Sequence, residues 1–163
     1  MELILVRHAK SLHNDYVEQD IERHLCDRGY HDAAVSSGWC SSKKIVPDLM
    51  LSSPAIRAFS TALIFANRLG YASDAIRLEA AIYEASVRNL VYVLDGIPEG
   101  TKTCMLFGHN PGFTELLNYL CGPVCSQLPT AAVARITLRR SPGGKIEPAR
   151  SELLDLFSGH KPF

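Results

Sequence analysis

Two unbroken apolar runs, Leu3-Ile4-Leu5-Val6 and Cys104-Met105-Leu106-Phe107, constrain the fold of this chain more than any other feature. Successive side chains of a strand point to opposite faces, so a continuous apolar run requires cover on both. A parallel sheet between two layers of helix meets that requirement. The intervening sequence provides the helices. Residues 29–42 read as one, with Ala33, Ala34, Trp39 and Cys40 as candidate core contacts. A short strand, Leu49-Met50-Leu51, follows Pro47-Asp48 and leads into Ser52-Ser53-Pro54. Ser53 is expected to cap a helix that has Pro54 in its first turn, runs over 55–69 and stops at Gly70. A strand near 76–78 and a helix capped by Ser86 that ends before Gly96 come next. After the run 103–107, a helix opens at Pro111 and continues to about Leu120. A strand over 134–138, a turn at Pro142-Gly143-Gly144 and an extended segment over 146–156 complete the pattern. The alternation predicts an α/β three-layer sandwich with a mostly parallel central sheet, in one domain spanning 1–163.

A chain of 163 residues is long enough to bury roughly 70% of the surface it exposes when unfolded. Its 17 lysines and arginines equal its 17 aspartates and glutamates, so no overall field draws it to nucleic acid or to an acidic membrane. Anion binding has to be local. No segment approaches the ~20 apolar residues of a membrane span, and Met1-Glu2-Leu3 has neither the basic region nor the cleavage site of a signal peptide. The five cysteines, Cys26, Cys40, Cys104, Cys121 and Cys125, are odd in number and form no Cys-x-x-Cys pair. They read as free thiols in a reducing cytoplasm.

The chemistry gathers where strands are expected to end. The first run closes on Arg7-His8, the second on Gly108-His109-Asn110-Pro111-Gly112, and the helix after Pro54 carries Arg57 in its first turn. In an open α/β sheet, ligands bind beyond the carboxyl ends of the strands, at a switch in strand order. Arginine offers a planar fork to two phosphate oxygens, and a helix start adds unpaired N–H groups. Each element alone has an ordinary explanation: a common dipeptide, a tight turn with a helix cap, a solvated helix charge. Together they describe an anion site containing a candidate nucleophile. A metal site would need further ligands, and the sequence has no His-x-His or His-Glu-x-x-His motif; the adjacent arginines would also repel a divalent cation. His13, His24, His31 and His160 have no comparable placement and read as surface residues.

These segments resemble a known family. Arg7-His8-Ala9-Lys10-Ser11-Leu12-His13-Asn14 is similar to the Arg-His-Gly-x-Ser-x-x-Asn signature of the histidine phosphatase superfamily, also called phosphoglycerate mutase-like. Ser52-Ser53-Pro54-Ala55-Ile56-Arg57-Ala58 resembles its second arginine motif, and Gly108-His109-Asn110 its second histidine motif. The short length, Arg-His-Ala and Tyr83-Glu84-Ala85 look most like the small SixA-type phosphohistidine phosphatases. The resemblance implies a phosphoglycerate mutase-like fold and a metal-independent reaction without a cofactor. In that reaction His8 attacks phosphorus, and the resulting phosphohistidine is hydrolysed by water. Arg7, Arg57 and His109 would hold the phosphoryl oxygens, Asn14 would add a polar contact, and Glu84 would serve as proton donor. Two positions depart from the family pattern. Ala9 replaces glycine, and Cys26 replaces threonine in Leu25-Cys26-Asp27-Arg28-Gly29, where a thiol is a weaker hydrogen-bonding group. The leading expectation is a phosphatase acting on phosphohistidine in another protein, because a short chain leaves little room for a lid over small metabolites. The alternatives are a small-molecule phosphate monoesterase and a non-catalytic phosphate- or phosphoprotein-binding module.

Overall fold

A computed structural model describes residues 1–13 and 19–159. Its centre is one six-stranded sheet of Glu2–Arg7 (β1), Leu49–Ser52 (β2), Arg77–Leu78 (β3), Thr103–Gly108 (β4), Val133–Thr137 (β5) and Glu152–Phe157 (β6). The spatial order is β3-β2-β4-β1-β5-β6. The first four strands run parallel, β5 is antiparallel to β1, and β6 is antiparallel to β5. Four helices cover the sheet: Asp27–Ser42 (α1), Ile56–Leu69 (α2), Val87–Asp95 (α3) and Gly112–Cys121 (α4).

The apolar runs sort their side chains onto the two faces as a two-residue period requires. Ile4 and Val6 join Met50, Met105, Phe107 and Val133 against Ala33 and Cys40 of α1 and Ala62, Phe65 and Ala66 of α2. Leu3 and Leu5 join Leu49, Leu51, Leu106 and Ile136 against Leu90 and Leu94 of α3 and Phe113, Leu116, Leu117 and Leu120 of α4. Every apolar residue of both runs is therefore buried, and the three-layer α/β sandwich is the fold that these runs demand. Among the described residues, no helix is long and apolar enough to cross a membrane.

Several local expectations need correction. Ser53 does not cap α2: the capping position is Ala55, which makes no side-chain cap bond, and the Ser53 hydroxyl is turned to another partner described below. Gly70 does end α2, in the left-handed conformation with φ 70°. Ala34 is exposed, and α1 buries Asp32, Ser36 and Ser37 beside Ala33 and Cys40. Ser36 Oγ donates to the Ala131 carbonyl at 2.7 Å, which explains a polar residue at a core position. The last two strands occupy Val133–Thr137 and Glu152–Phe157, so the expected extended segment becomes a strand only in its second half.

The start of α1 braces the chain leaving β1. A Cβ on Gly29 would lie 2.0 Å from the Lys10 carbonyl oxygen, so only glycine permits this approach. Cys26 N–H donates to the same oxygen at 3.0 Å. Cys26 holds the extended backbone of a capping residue, φ −86° and ψ 169°, yet its thiol makes no cap bond. A hydroxyl there would accept from the first turn of the helix. Cys26→Thr is expected to raise stability by about 1 kcal/mol in urea unfolding; an unchanged or lower midpoint would contradict this account of the helix start.

Candidate active site

Sheet register brings the two histidines together. Arg7 lies opposite Gly108 across the parallel β1–β4 pair, so His8 and His109 leave neighbouring strands side by side. His8 N–H donates to the Gly108 carbonyl at 2.9 Å, and the rings sit 5.1 Å apart, tilted by 53°. On the other side of β4, Ser53 N–H donates to the Phe107 carbonyl at 2.9 Å. The chain passes from β1 to α1 on one face of the sheet and from β4 to α4 on the other, so a crevice opens between these strand ends.

His8 is buried, and its Nδ1 lies 2.8 Å from the Ala9 carbonyl. A carbonyl only accepts, so Nδ1 carries the proton and Nε2 keeps its lone pair. Burial lowers the pKa of His8 to about 3; the Ala9 bond works the other way, while His109, Arg57 and Arg7 lower it further. At neutral pH this is an uncharged imidazole with a free nitrogen, the form competent for nucleophilic attack. Its turn is anchored to α2: Ala9 N–H donates to Thr61 Oγ1 at 3.0 Å, and Thr61 Oγ1 donates to the Arg57 carbonyl at 2.7 Å.

Arg57 is 4% exposed. Its Nη1 donates to the Asp20 carbonyl at 2.6 Å and its Nη2 to Asp20 Oδ2 at 2.8 Å. The same carboxylate pairs with Arg23 at 2.8 Å and accepts from the Tyr83 hydroxyl at 3.0 Å. Desolvation opposes ionisation of Asp20, but the bonds and charge of Arg57, with Tyr83 and Arg23, outweigh it and hold the carboxyl below its usual value. Arg7 donates from Nη1 to the Leu128 carbonyl at 2.6 Å. His109 is buried, with Nε2 2.7 Å from Ser53 Oγ and the Tyr83 ring edge-on at 5.5 Å. Burial first, then the charge of Arg57, lowers its pKa to about 4, against a raising influence from Asp20.

Three nitrogens of this cluster, Arg7 Nε, Arg57 Nε and His109 Nδ1, are buried without a hydrogen-bond partner among the described residues. A buried donor left in that state costs about 1–3 kcal/mol. Two guanidinium donors beside one neutral imidazole suit a tetrahedral oxyanion, whose oxygens would supply the missing acceptors; His109 Nδ1 joins them as a third donor in the tautomer that carries its proton there. Glu84 lies at the rim, where it lines a depression of about 570 Å³ with Asp20, Arg57, His109 and Pro111. It is exposed, takes a left-handed backbone with φ 48°, and its carboxylate makes no hydrogen bond or ion pair with a described residue. A second depression, of about 600 Å³, runs from Arg7 past Pro111 and Thr114 to Ser126 and Gln127.

The adjacent pair Arg7-His8 thus meets Arg57 and His109, both distant from it in the sequence, in one crevice with Glu84 at its edge. Asn14 lies outside the described residues. Sequence reasoning missed Asp20, Thr61 and the role of Ser53. The spacing Asp20-x-x-Arg23 was a signal of a local ion pair, but nothing in it pointed to Arg57. His13, His24 and His31 are exposed, and His160 is outside the described residues. No group of three or more His, Cys, Asp or Glu among the described residues is placed to hold a metal ion.

Residues 3–90 match the family model of the histidine phosphatase superfamily, branch 1. No curated protein matches the sequence significantly. Among solved structures, the protein histidine phosphatase SixA complexed with tungstate superposes with a TM-score of 0.82 at 20% identity, covering 97% of each chain. A protein described as the phosphohistidine phosphatase SixA from Agrobacterium tumefaciens gives 0.80 at 23% identity, covering 96% of this chain and 97% of that one. A mycobacterial glucosyl-3-phosphoglycerate phosphatase gives 0.69 at 15% identity, covering 96% and 98%. At these identities the likeness concerns the fold.

Proposed function

Because the chain belongs to the histidine phosphatase superfamily, we propose that it hydrolyses phosphoryl groups through a covalent intermediate on His8 Nε2, and that its preferred donor is phosphohistidine in another protein. The observation that carries this reading is the set of three buried nitrogens, Arg7 Nε, Arg57 Nε and His109 Nδ1, that have no hydrogen-bond partner among the described residues and lie beside a neutral imidazole. His8 Nε2 attacks phosphorus, a P–N bond forms, and the bond to the leaving group breaks. Arg7, Arg57 and His109 hold the nonbridging oxygens and match the charge that spreads over them in the transition state. Water then attacks the phosphohistidine, the P–Nε2 bond breaks, and inorganic phosphate leaves with His8 restored. Arg7 and Arg57 provide the positive charge for this stabilisation, so the step needs no metal.

The leaving group decides what Glu84 has to do. An alkoxide is strongly basic and needs a proton donor, whereas a phosphohistidine already protonated on its other ring nitrogen releases a neutral imidazole, with a conjugate-acid pKa near ~6.5. Glu84 sits at the rim with no hydrogen-bond or ion-pair partner among the described residues to fix it, an arrangement that suits the less demanding leaving group. Depressions on both sides of Pro111 leave room for a side chain presented by another protein surface. The five unpaired cysteines fit a cytoplasmic setting.

The test compares a phosphohistidine-bearing protein with a panel of small phosphate esters, for the wild type and Glu84→Gln. Phosphohistidine hydrolysis is expected to persist in the variant, while ester hydrolysis falls by about 10²-fold or more. Activity confined to the esters would sink the phosphohistidine preference and favour the monoesterase reading, which the presence of Glu84 at the rim supports. Absence of turnover with every donor, together with retained tungstate binding, would favour a phosphate-binding module.

A further inference from the structure

The Ser53 hydroxyl has a partner that a helix cap would not have. Ser53 is fully buried, and the local backbone is already committed: its N–H donates to Phe107, and its carbonyl accepts from Ser52 Oγ at 2.9 Å. Ser53 Oγ accepts from Ala55 N–H at 3.3 Å and lies 2.7 Å from His109 Nε2. The hydroxyl also has one proton to donate, and a buried O–H needs an acceptor. Among the described residues, the only acceptor within hydrogen-bonding distance of it is His109 Nε2.

We infer that Ser53 is a positioning residue that fixes the tautomer of His109: its hydroxyl donates to Nε2, so the ring proton sits on Nδ1. His109 then offers the phosphoryl group an uncharged Nδ1–H donor. This inference rests on the phosphatase reading for its consequence in catalysis, but the tautomer itself does not depend on it. It makes the third unpartnered nitrogen of the crevice a donor, because Nδ1 is the ring nitrogen that is buried with no partner among the described residues. The surroundings favour the uncharged ring: burial does so most, the charges of Arg57, Arg23 and Arg7 add to it, and Asp20 works the other way. Were the bond reversed, with Nε2–H donating to Ser53, Nδ1 would present a lone pair to an anion and repel it. The direction of one hydrogen bond therefore separates a phosphate donor from a phosphate-repelling group, and His8 and His109 become the same tautomer put to opposite uses. In His8 the carbonyl of Ala9 holds the proton on Nδ1 and frees Nε2 to attack; in His109 the hydroxyl of Ser53 occupies Nε2 and frees Nδ1–H to bind.

The test is a two-bond ¹H–¹⁵N correlation spectrum of the ¹⁵N-labelled protein at neutral pH, with His109→Asn used to assign the ring. The wild type is expected to show a protonated Nδ1 and an unprotonated, hydrogen-bonded Nε2. In Ser53→Ala the proton should redistribute toward Nε2, tungstate binding should weaken about tenfold, and kcat/KM should fall about tenfold or more. A wild-type spectrum with the proton on Nε2 overturns the inference without any variant having to fold. So does a folded Ser53→Ala protein with unchanged tautomer and unchanged tungstate affinity. If the expected spectrum is found in a protein without phosphatase activity, the functional reading fails while the tautomer assignment stands.

Discussion

His8→Asn is expected to reduce turnover by about 10⁴-fold or more, the scale on which a covalent nucleophile is lost. Asparagine is close to histidine in size near the backbone, and its amide can still donate to the Ala9 carbonyl that His8 Nδ1 reaches at 2.8 Å. The turn stays anchored through Ala9 N–H and Thr61, which the substitution leaves untouched. Arg7, Arg57 and His109 remain as well, so tungstate should still bind to the folded variant. That combination, binding without turnover, is specific to loss of the attacking atom. Steady-state kinetics and tungstate titration of the same preparation check it. Turnover within tenfold of wild type would mean that another group, or water directly, attacks phosphorus.

Acid should destabilise the fold well before the carboxylates titrate. His8 and His109 have an ordinary pKa of 6.5 but are lowered to about 3 and about 4 in the folded protein, in both cases chiefly by burial. Above pH 6.5 neither state binds these protons, and the two residues leave stability independent of pH. Below it the unfolded chain takes up protons that the folded chain refuses, so stability falls as the pH drops toward 4 and 3. By pH 5 the loss is about 2 kcal/mol for each histidine, and about 4 kcal/mol for the pair if they act independently. Asp20 acts in a lower window, because its carboxyl is held below 3.8 and its contribution disappears only as the pH passes through the acid range. Urea unfolding at pH 7.5 and pH 5 measures the effect, and His109→Asn should remove about half of the difference. A midpoint that does not move between these pH values would contradict neutral, buried histidines.

The parts of this molecule that were legible in the sequence are those governed by short-range pattern. Continuous apolar runs implied two-sided burial, and Leu3–Val6 and 104–107 do feed both cores. Gly70 and Ser86 mark the end of α2 and the start of α3 because backbone conformation and capping chemistry are local. Strand ends brought Arg7, His8 and His109 into view, since topology alone places them at one edge. The remainder depends on contacts that no local pattern encodes. Ser53 has the composition of a cap, yet the register of β2 against β4 turns it toward His109. Asp20 and Arg57 are separated by 37 positions and meet only in the folded chain. Ala34 looked like a core residue by spacing, but α1 rolls so that Asp32, Ser36 and Ser37 face inward instead.

The account stands most directly on the fate of the phosphoryl group during turnover. The decisive measurement is an alkaline quench of the working enzyme with a phosphohistidine donor, followed by peptide mapping by mass spectrometry. A phosphoryl group on the peptide containing His8, stable to alkali, lost in acid and missing from His8→Asn, is the predicted result. Full turnover with no phosphoryl group on that peptide, or with one on any other residue, would contradict it.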